Sequence, residues 1–320
     1  MKNDDIVLSC EGLHHWFGPK HVLHEINLSI VRGQIVALVG PSGCGKSTLL
    51  RSIVGTHPPR RGSVIIHQKE GDTIVSHPVT RPGRDRGIVY QRYTLFPNLT
   101  AIQNVAFGRM LDETTIPFRL FKVQQWRKLR FEHLKEAAAL LDKLGLGHAR
   151  DNYPQELSGG MRQRVAIAQA LIMKPAILLL DEPFGALDES TREDLQRMLL
   201  SLYKENIDAA ERNESPPYTI LMVTHELNEA LFVSDRVLGL SQYWDWKGAG
   251  HKEFPGATIV YDNSAPVFHP QAEREYQAFS TRKEEILRAT FEPEVCQAHD
   301  EFLRFWKAAG DGRVTGILRS

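Results

Sequence analysis

The segment Gly40-Pro41-Ser42-Gly43-Cys44-Gly45-Lys46-Ser47-Thr48 fits the pattern G-x-x-x-x-G-K-[ST], with an apolar run before it and a helical pattern after it. These residue types at this spacing suit the holding of phosphate. The glycines let backbone N–H groups close around phosphate oxygens, and the positive end of the following helix adds a favourable dipole. Lys46 would reach the β- and γ-phosphates of a nucleotide, and Ser47 would ligate Mg²⁺. Cys44 occupies a variable position of the loop and reads as filler, not as a nucleophile. The loop implies nucleotide binding without separating a kinase, a GTPase or an ATPase.

Two further groups bear on the same chemistry. Ile177-Leu178-Leu179-Leu180-Asp181-Glu182 is an apolar run closed by two carboxylates, and strand ends of a doubly wound sheet open onto the ligand crevice. Asp181 would support the Mg²⁺ shell, while Glu182, one residue on and pointing differently, would polarise an attacking water. An acidic loop beside a strand is common in α/β proteins, so the pair draws its weight from the phosphate loop upstream. In Leu157-Ser158-Gly159-Gly160-Met161-Arg162-Gln163-Arg164, Ser158 can cap the helix that follows. The two glycines leave backbone N–H groups exposed at a positive helix end. That is a second anion site, although alone it would be an ordinary Ser-capped helix.

The elements that must position these residues can be read from periodicity. Strands are expected near Ile6–Cys10, Glu25–Ile30, Ile35–Val39, Ser63–Ile66 and Gly87–Tyr90, with a helix over Lys46–Val54. From about Thr100 the pattern turns helical. It is clearest over Phe131–Leu144, where Leu134, Ala137, Ala138, Leu141 and Leu144 share a face and Gly145 closes the run. The α/β alternation then resumes with a helix to Met173, a strand at Ile177–Leu180, a helix at Thr191–Tyr203 and a strand at Thr219–Val223. Lys204–Pro217 reads as a polar surface insertion, and the segment after Leu240 as a short strand near Thr258–Tyr261 with helices over Gln271–Thr290 and Pro293–Lys307. Tyr243, Trp244 and Trp246 would anchor this last segment, for which packing or dimer support is expected. Around Ile116–Phe131, Arg119, Lys122, Arg127, Lys128 and Arg130 alternate with Phe118, Phe121 and Trp126. Such a segment is either a solvated basic face or a helix that touches headgroups or a partner.

Composition narrows the setting. The 320 residues carry 39 basic and 39 acidic side chains, so no global field draws the chain to nucleic acid or anionic lipid. Met1-Lys2-Asn3-Asp4-Asp5 lacks a signal-peptide core, and the apolar runs Ile35–Val39 and Ala176–Leu180 are far too short to span a bilayer. Cys10, Cys44 and Cys296 have neither paired nor metal-type spacing, which points to a reducing compartment. A cytosolic chain is expected, with any membrane part supplied by another.

Leu157–Arg164 resembles the signature sequence of ATP-binding cassette (ABC) ATPases, and the other motifs stand in that family's order over roughly residues 4–240. The resemblance implies a P-loop α/β fold: a RecA-like parallel-sheet core, an N-terminal antiparallel β subdomain and an inserted helical subdomain. It places the ATPase domain at 1–240, with the helical part at about 92–157, and a mostly helical extension at 241–320. Phe17 matches the adenine-stacking aromatic, with Trp16 its neighbouring candidate. Gln91 matches the glutamine that approaches Mg²⁺ and the attacking water, Asp188 belongs to the loop that crosses between subunits, and His225 matches the switch histidine at the γ-phosphate. The implied cofactors are ATP and Mg²⁺. The implied assembly is a head-to-tail dimer in which Lys46, Ser47 and Glu182 of one copy and Ser158, Gly159 and Gly160 of another enclose each ATP.

Leu180–Asp188 and His225–Arg236 look like importer ATPases, the second closest to the nitrate/sulfonate/taurine group. Gln91–Thr100 lacks the Leu-Pro-Trp common there and resembles sugar and amino-acid importers equally. The implied partners are an integral-membrane permease and, indirectly, a periplasmic or extracellular solute-binding protein. The implied location is peripheral, on the cytoplasmic face of the membrane. A soluble ABC ATPase acting on nucleic acid or ribosomes is the alternative, but such relatives carry coiled-coil insertions or fused cassettes that this chain lacks. A P-loop kinase would not need Leu157–Arg164 or His225.

Overall fold

The computed structural model describes residues 6–71, 73–92, 95–185, 187–265 and 276–293. In chain order the first elements are β1 (Ile6–Phe17), β2 (Lys20–Val31), β3 (Ile35–Val39), α1 (Lys46–Val54), β4 (Arg61–Glu70) and β5 (Thr73–Pro78). Next come β6 (Arg86–Val89), α2 (Ala101–Glu113), α3 (Ile116–Phe121), α4 (Val123–Lys143), α5 (Gly159–Leu171), β7 (Ile177–Asp181) and α6 (Glu189–Glu211). The last are β8 (Ile220–Val223), α7 (Leu227–Val233), β9 (Arg236–Ser241), β10 (Thr258–Ser264) and α8 (Tyr276–Ile286), the latter running into a π-turn at Leu287–Phe291. The chain forms two compact units, one holding the chain up to Gly83 and from Leu199 onward, the other Arg84–Met198.

In the first unit β2-β1-β4-β5 form an antiparallel sheet. β1 and β2 run well past the expected Ile6–Cys10 and Glu25–Ile30, because their pairing continues through Leu13↔Ile26 to Phe17↔Lys20. β5 has no counterpart in the sequence reading. Its residues are almost all exposed, so it lacks the buried alternation that marks a strand. A second ladder pairs β3 in parallel with both β8 and β9, and β10 runs antiparallel on β9. Every residue of β3 and β8 is buried, as parallel strands covered on both faces require.

The described residues after Leu240 belong to this same unit. Trp244 is fully buried, and its indole N–H donates to the Gly256 carbonyl at 3.0 Å. Ser241 Oγ donates to the Thr290 carbonyl at 2.6 Å, which ties the π-turn to the end of β9. Trp246 is only half-buried. The helix expected over Pro293–Lys307 lies outside the described residues.

The expected surface insertion at Lys204–Pro217 is mostly helix. α6 continues to Glu211 because Leu202, Asn206 and Ala209 bury one narrow stripe at helical spacing. The Asn206 amide donates to the carbonyls of Gly33 (2.8 Å) and Tyr218 (2.6 Å) and accepts from Tyr218 N at 3.0 Å. The polar composition hid this stripe, and only the segment after Glu211 is a loop.

In the second unit β6 and β7 pair in parallel, and α2, α4 and α5 pack on one another. The basic, aromatic stretch is two helices, not one. The chain breaks at Lys122, whose φ of −114° and ψ of 50° close α3 and open α4. Arg119 turns back onto Met110 O (2.7 Å) and Thr114 Oγ1 (2.8 Å), with its guanidinium 5.2 Å from the Trp126 ring centre. Among the described residues no helix is long and apolar enough to cross a membrane.

Candidate functional site

In the first unit the phosphate loop links β3 to α1. Gly43 and Gly45 take φ of +77° and +115°, which side chains with a Cβ adopt only under strain. A Cβ on Gly40 would run into the Leu240 carbonyl oxygen, so the backbone there can approach β9 only without one. Lys46 is 7% exposed, and its ammonium donates to the carbonyls of Gly40 (2.7 Å) and Pro41 (3.0 Å). The loop is thus cross-tied by the lysine it carries. No acidic residue sits in the first turn of α1, so its dipole is available to an anion. Ser47 and Thr48 lie half-buried in that turn, Ser42 and Gly43 are exposed, and burial pushes the Cys44 thiol above its ordinary value. A thiol kept protonated has little nucleophilicity.

Phe17 closes β1 with 44% of its surface exposed. It meets His15 and His57 edge-on, with ring centres 4.9 and 6.0 Å apart. Trp16 lies flat on His21 at 4.0 Å and is half-buried. Of the two aromatics Phe17 therefore offers the open face. No sequence signal links His57 to it, since the two meet only through the fold. His225 follows β8 with its side chain half exposed, and lines an open depression with Asn228, Lys283, Leu287 and Phe291. The turn beneath it is fixed by the Thr224 hydroxyl, which donates to the buried Glu229 carboxylate at 2.8 Å.

In the second unit Asp181 ends β7 and Glu182 follows at φ +48°, a left-handed conformation uncommon for a residue with a side chain. Gln91 follows β6, and its Nε2 donates to Glu182 Oε2 at 3.0 Å, so these two predicted residues are brought together. Asp188 accepts from the N–H and the hydroxyl of Thr191, both at 3.0 Å. Those bonds hold its carboxyl below the usual carboxylate range and make it a cap for α6.

Ser158 caps α5 by accepting from Met161 N at 3.2 Å, and it is exposed. α5 too has no acidic residue in its first turn. A Cβ on Gly160 would overlap the Thr191 methyl, which explains the second glycine and identifies Thr191 as a residue that sequence reasoning missed. Thr191 thus touches both the signature loop and Asp188. In the sequence it stood only as the start of an expected helix, three residues after an Asp, a cap spacing.

The profile of the ABC transporter family matches residues 23–185, about half of the chain. The sulfate/thiosulfate import ATP-binding protein of Pectobacterium atrosepticum is 42% identical over 231 residues, covering 72% of this chain and 62% of its own length. The bicarbonate transport ATP-binding protein of Synechococcus elongatus is 41% identical over 219 residues, covering 68% of this chain and 28% of its own. This chain therefore spans less than two thirds of either relative. Among solved structures, the dimeric post-hydrolysis state of an ATP-binding cassette bound to ADP and Pi superposes with a TM-score of 0.55 at 26% identity. The match covers 82% of this chain and all of that one.

Proposed function

This chain belongs to the ABC transporter family, and we propose that it binds and hydrolyses ATP as one half of a nucleotide-sandwiching homodimer that drives solute import through a separate permease. The observation that carries this is the pair of glycine-rich helix starts. α1 and α5 each present N–H groups at a helix end without an acidic first turn, and one nucleotide does not need both loops of the same chain. Lys46 and the loop from Gly40 to Thr48 take the β- and γ-phosphates, and Phe17 stacks on the base. Ser158, Gly159 and Gly160 of a second copy cover the γ-phosphate, and Asp188 lies at the subunit boundary. Glu182 orients the attacking water and accepts its proton, held meanwhile by Gln91, and His225 steadies the γ-phosphate.

Ser47, Gln91 and Asp181 offer hydroxyl, amide and carboxylate oxygens, a hard donor set that fits Mg²⁺. The ion would neutralise the charge gathered on the phosphate oxygens. We assign the cassette to residues 1–240, with its helical part at about 92–157, and a packing role to 241–320. The relatives are named for sulfate, thiosulfate and bicarbonate, which favours a small oxyanion as solute, delivered by a separate binding protein. The chain itself would sit peripherally on the cytoplasmic face.

The test is capture of the permease from native membranes, reconstitution in vesicles, and uptake of labelled sulfate, bicarbonate, nitrate and taurine. ATP-dependent uptake of one of them, lost with Glu182→Gln, is the expected result. Failure to take up any solute, with turnover stimulated instead by nucleic acid or ribosomes, would replace this reading by the soluble one.

A further inference from the structure

His14, His21 and His24 belong to none of the nucleotide motifs, yet they converge at one end of the β1–β2 hairpin. One ring nitrogen from each lies within 4.8 Å of the other two. His14 Nδ1 and His21 Nε2 are 3.3 Å apart. A tetrahedral zinc with Zn–N bonds of about 2.0–2.1 Å sets its ligand atoms about 3.3–3.4 Å apart, so this pair already spans one edge of such a site. Ring centres are 5.4 Å apart for His14 and His21, 5.0 Å for His14 and His24, and 5.6 Å for His21 and His24.

The surroundings hold the cluster in place. Trp16 lies flat on His21 at 4.0 Å, and the buried Trp244 stacks on His24 at 5.3 Å. His14 and His24 are 9% and 7% exposed. His251 approaches His24 edge-on at 4.8 Å.

We propose that His14, His21 and His24 bind a divalent transition-metal ion of the zinc class, with His251 or water as the fourth ligand. Imidazole nitrogens suit zinc, copper or nickel, whereas Mg²⁺ requires oxygens. The ion is therefore separate in kind from the one that accompanies ATP. It would tie β1 to β2 at the end of the hairpin that carries Phe17. Any effect on nucleotide affinity through Phe17 rests on the stacking role proposed above, whereas the metal site stands without it.

The test is titration of the full, untagged chain with Co²⁺, followed by displacement with Zn²⁺. The expected result is one equivalent with the visible absorption of tetrahedral Co²⁺, reversed by Zn²⁺ and unaffected by excess Mg²⁺. Zn²⁺ is expected to raise the thermal unfolding midpoint. His21→Gln should weaken Co²⁺ binding roughly 10-fold or more, while His148→Gln, at an exposed position remote in sequence, should leave it unchanged. No tetrahedral Co²⁺ spectrum in the wild-type chain would overturn the proposal, and that arm decides the matter even if the His21 variant misfolds. A spectrum that survives in folded His21→Gln would overturn it equally, since other histidines would then be the ligands.

Discussion

The two helix starts that could hold phosphate differ in how deeply they are set into the fold. At α1 the loop is drawn tight: Lys46 is buried and bonded to the carbonyls of Gly40 and Pro41, and Gly40 is pressed against β9. At α5 the entry is more exposed: Ser158 lies at the surface with its hydroxyl capping Met161 N, and Arg162 ties the preceding turn by donating to the Leu157 carbonyl at 3.1 Å. The first is a buried loop braced by its own lysine. The second begins at an exposed residue, as a half-site completed by another molecule would. The difference suggests that binding belongs to the α1 loop and commitment to hydrolysis belongs to the meeting of both.

Glu182→Gln should sharpen this division most. It keeps the cradle and removes the proton acceptor, so turnover is expected to fall about 10²- to 10⁴-fold while nucleotide affinity stays within a few-fold. Size-exclusion chromatography with ATP should reveal a trapped dimer. Undiminished turnover would remove Glu182 from its role. Phe17→Ala acts only on the cradle's base-holding side and should cost about 1–3 kcal/mol of affinity, read by fluorescent nucleotide titration, with no change in turnover at saturation.

Much of the contrast was legible in the residues themselves. Lys46–Val54 is helical as expected, since Gly45 and Gly55, both at positive φ, bound it on either side. The apolar runs Ile35–Val39 and Ile177–Leu180 announced buried parallel strands. What escaped was structure without local periodicity. β5 has no buried face, the stripe of α6 beyond Tyr203 is narrow and polar-flanked, and the break at Lys122 has no glycine or proline to mark it. Thr191 and His57 act through contacts that only the fold creates. The same holds for His14, His21 and His24, which meet across a hairpin and carry no spacing that reads as a metal motif.

The smallest effect is expected beneath the cradle, at Asp235, whose N–H donates to Ile35 O at 2.9 Å at the start of β3. Burial pushes its carboxyl up to about 7 from 3.8. The folded state therefore holds a proton that the unfolded state has released, and stability falls as pH rises from about 4 to about 7, then levels. Asp235→Asn mimics the protonated form, so it should raise the unfolding midpoint at pH 8 by a few degrees and change it little at pH 4. An equal shift at both values would mean that the carboxyl does not titrate in this window. Nucleotide affinity should not change, which separates support of the fold from the chemistry of the loop.

The central claim, that one copy's cradle is completed by another copy's signature loop, is tested most directly by mixing two dead variants. Lys46→Ala should bind no nucleotide, and Ser158→Arg should bind it as a monomer yet not hydrolyse it. In a head-to-tail dimer of the two, one site carries both defects and the other carries neither. An equimolar mixture should therefore regain up to about a quarter of wild-type hydrolysis, half of the dimers being mixed and each of those holding one whole site. A mixture as inactive as its components, although the two are shown to form mixed dimers, would contradict the shared site.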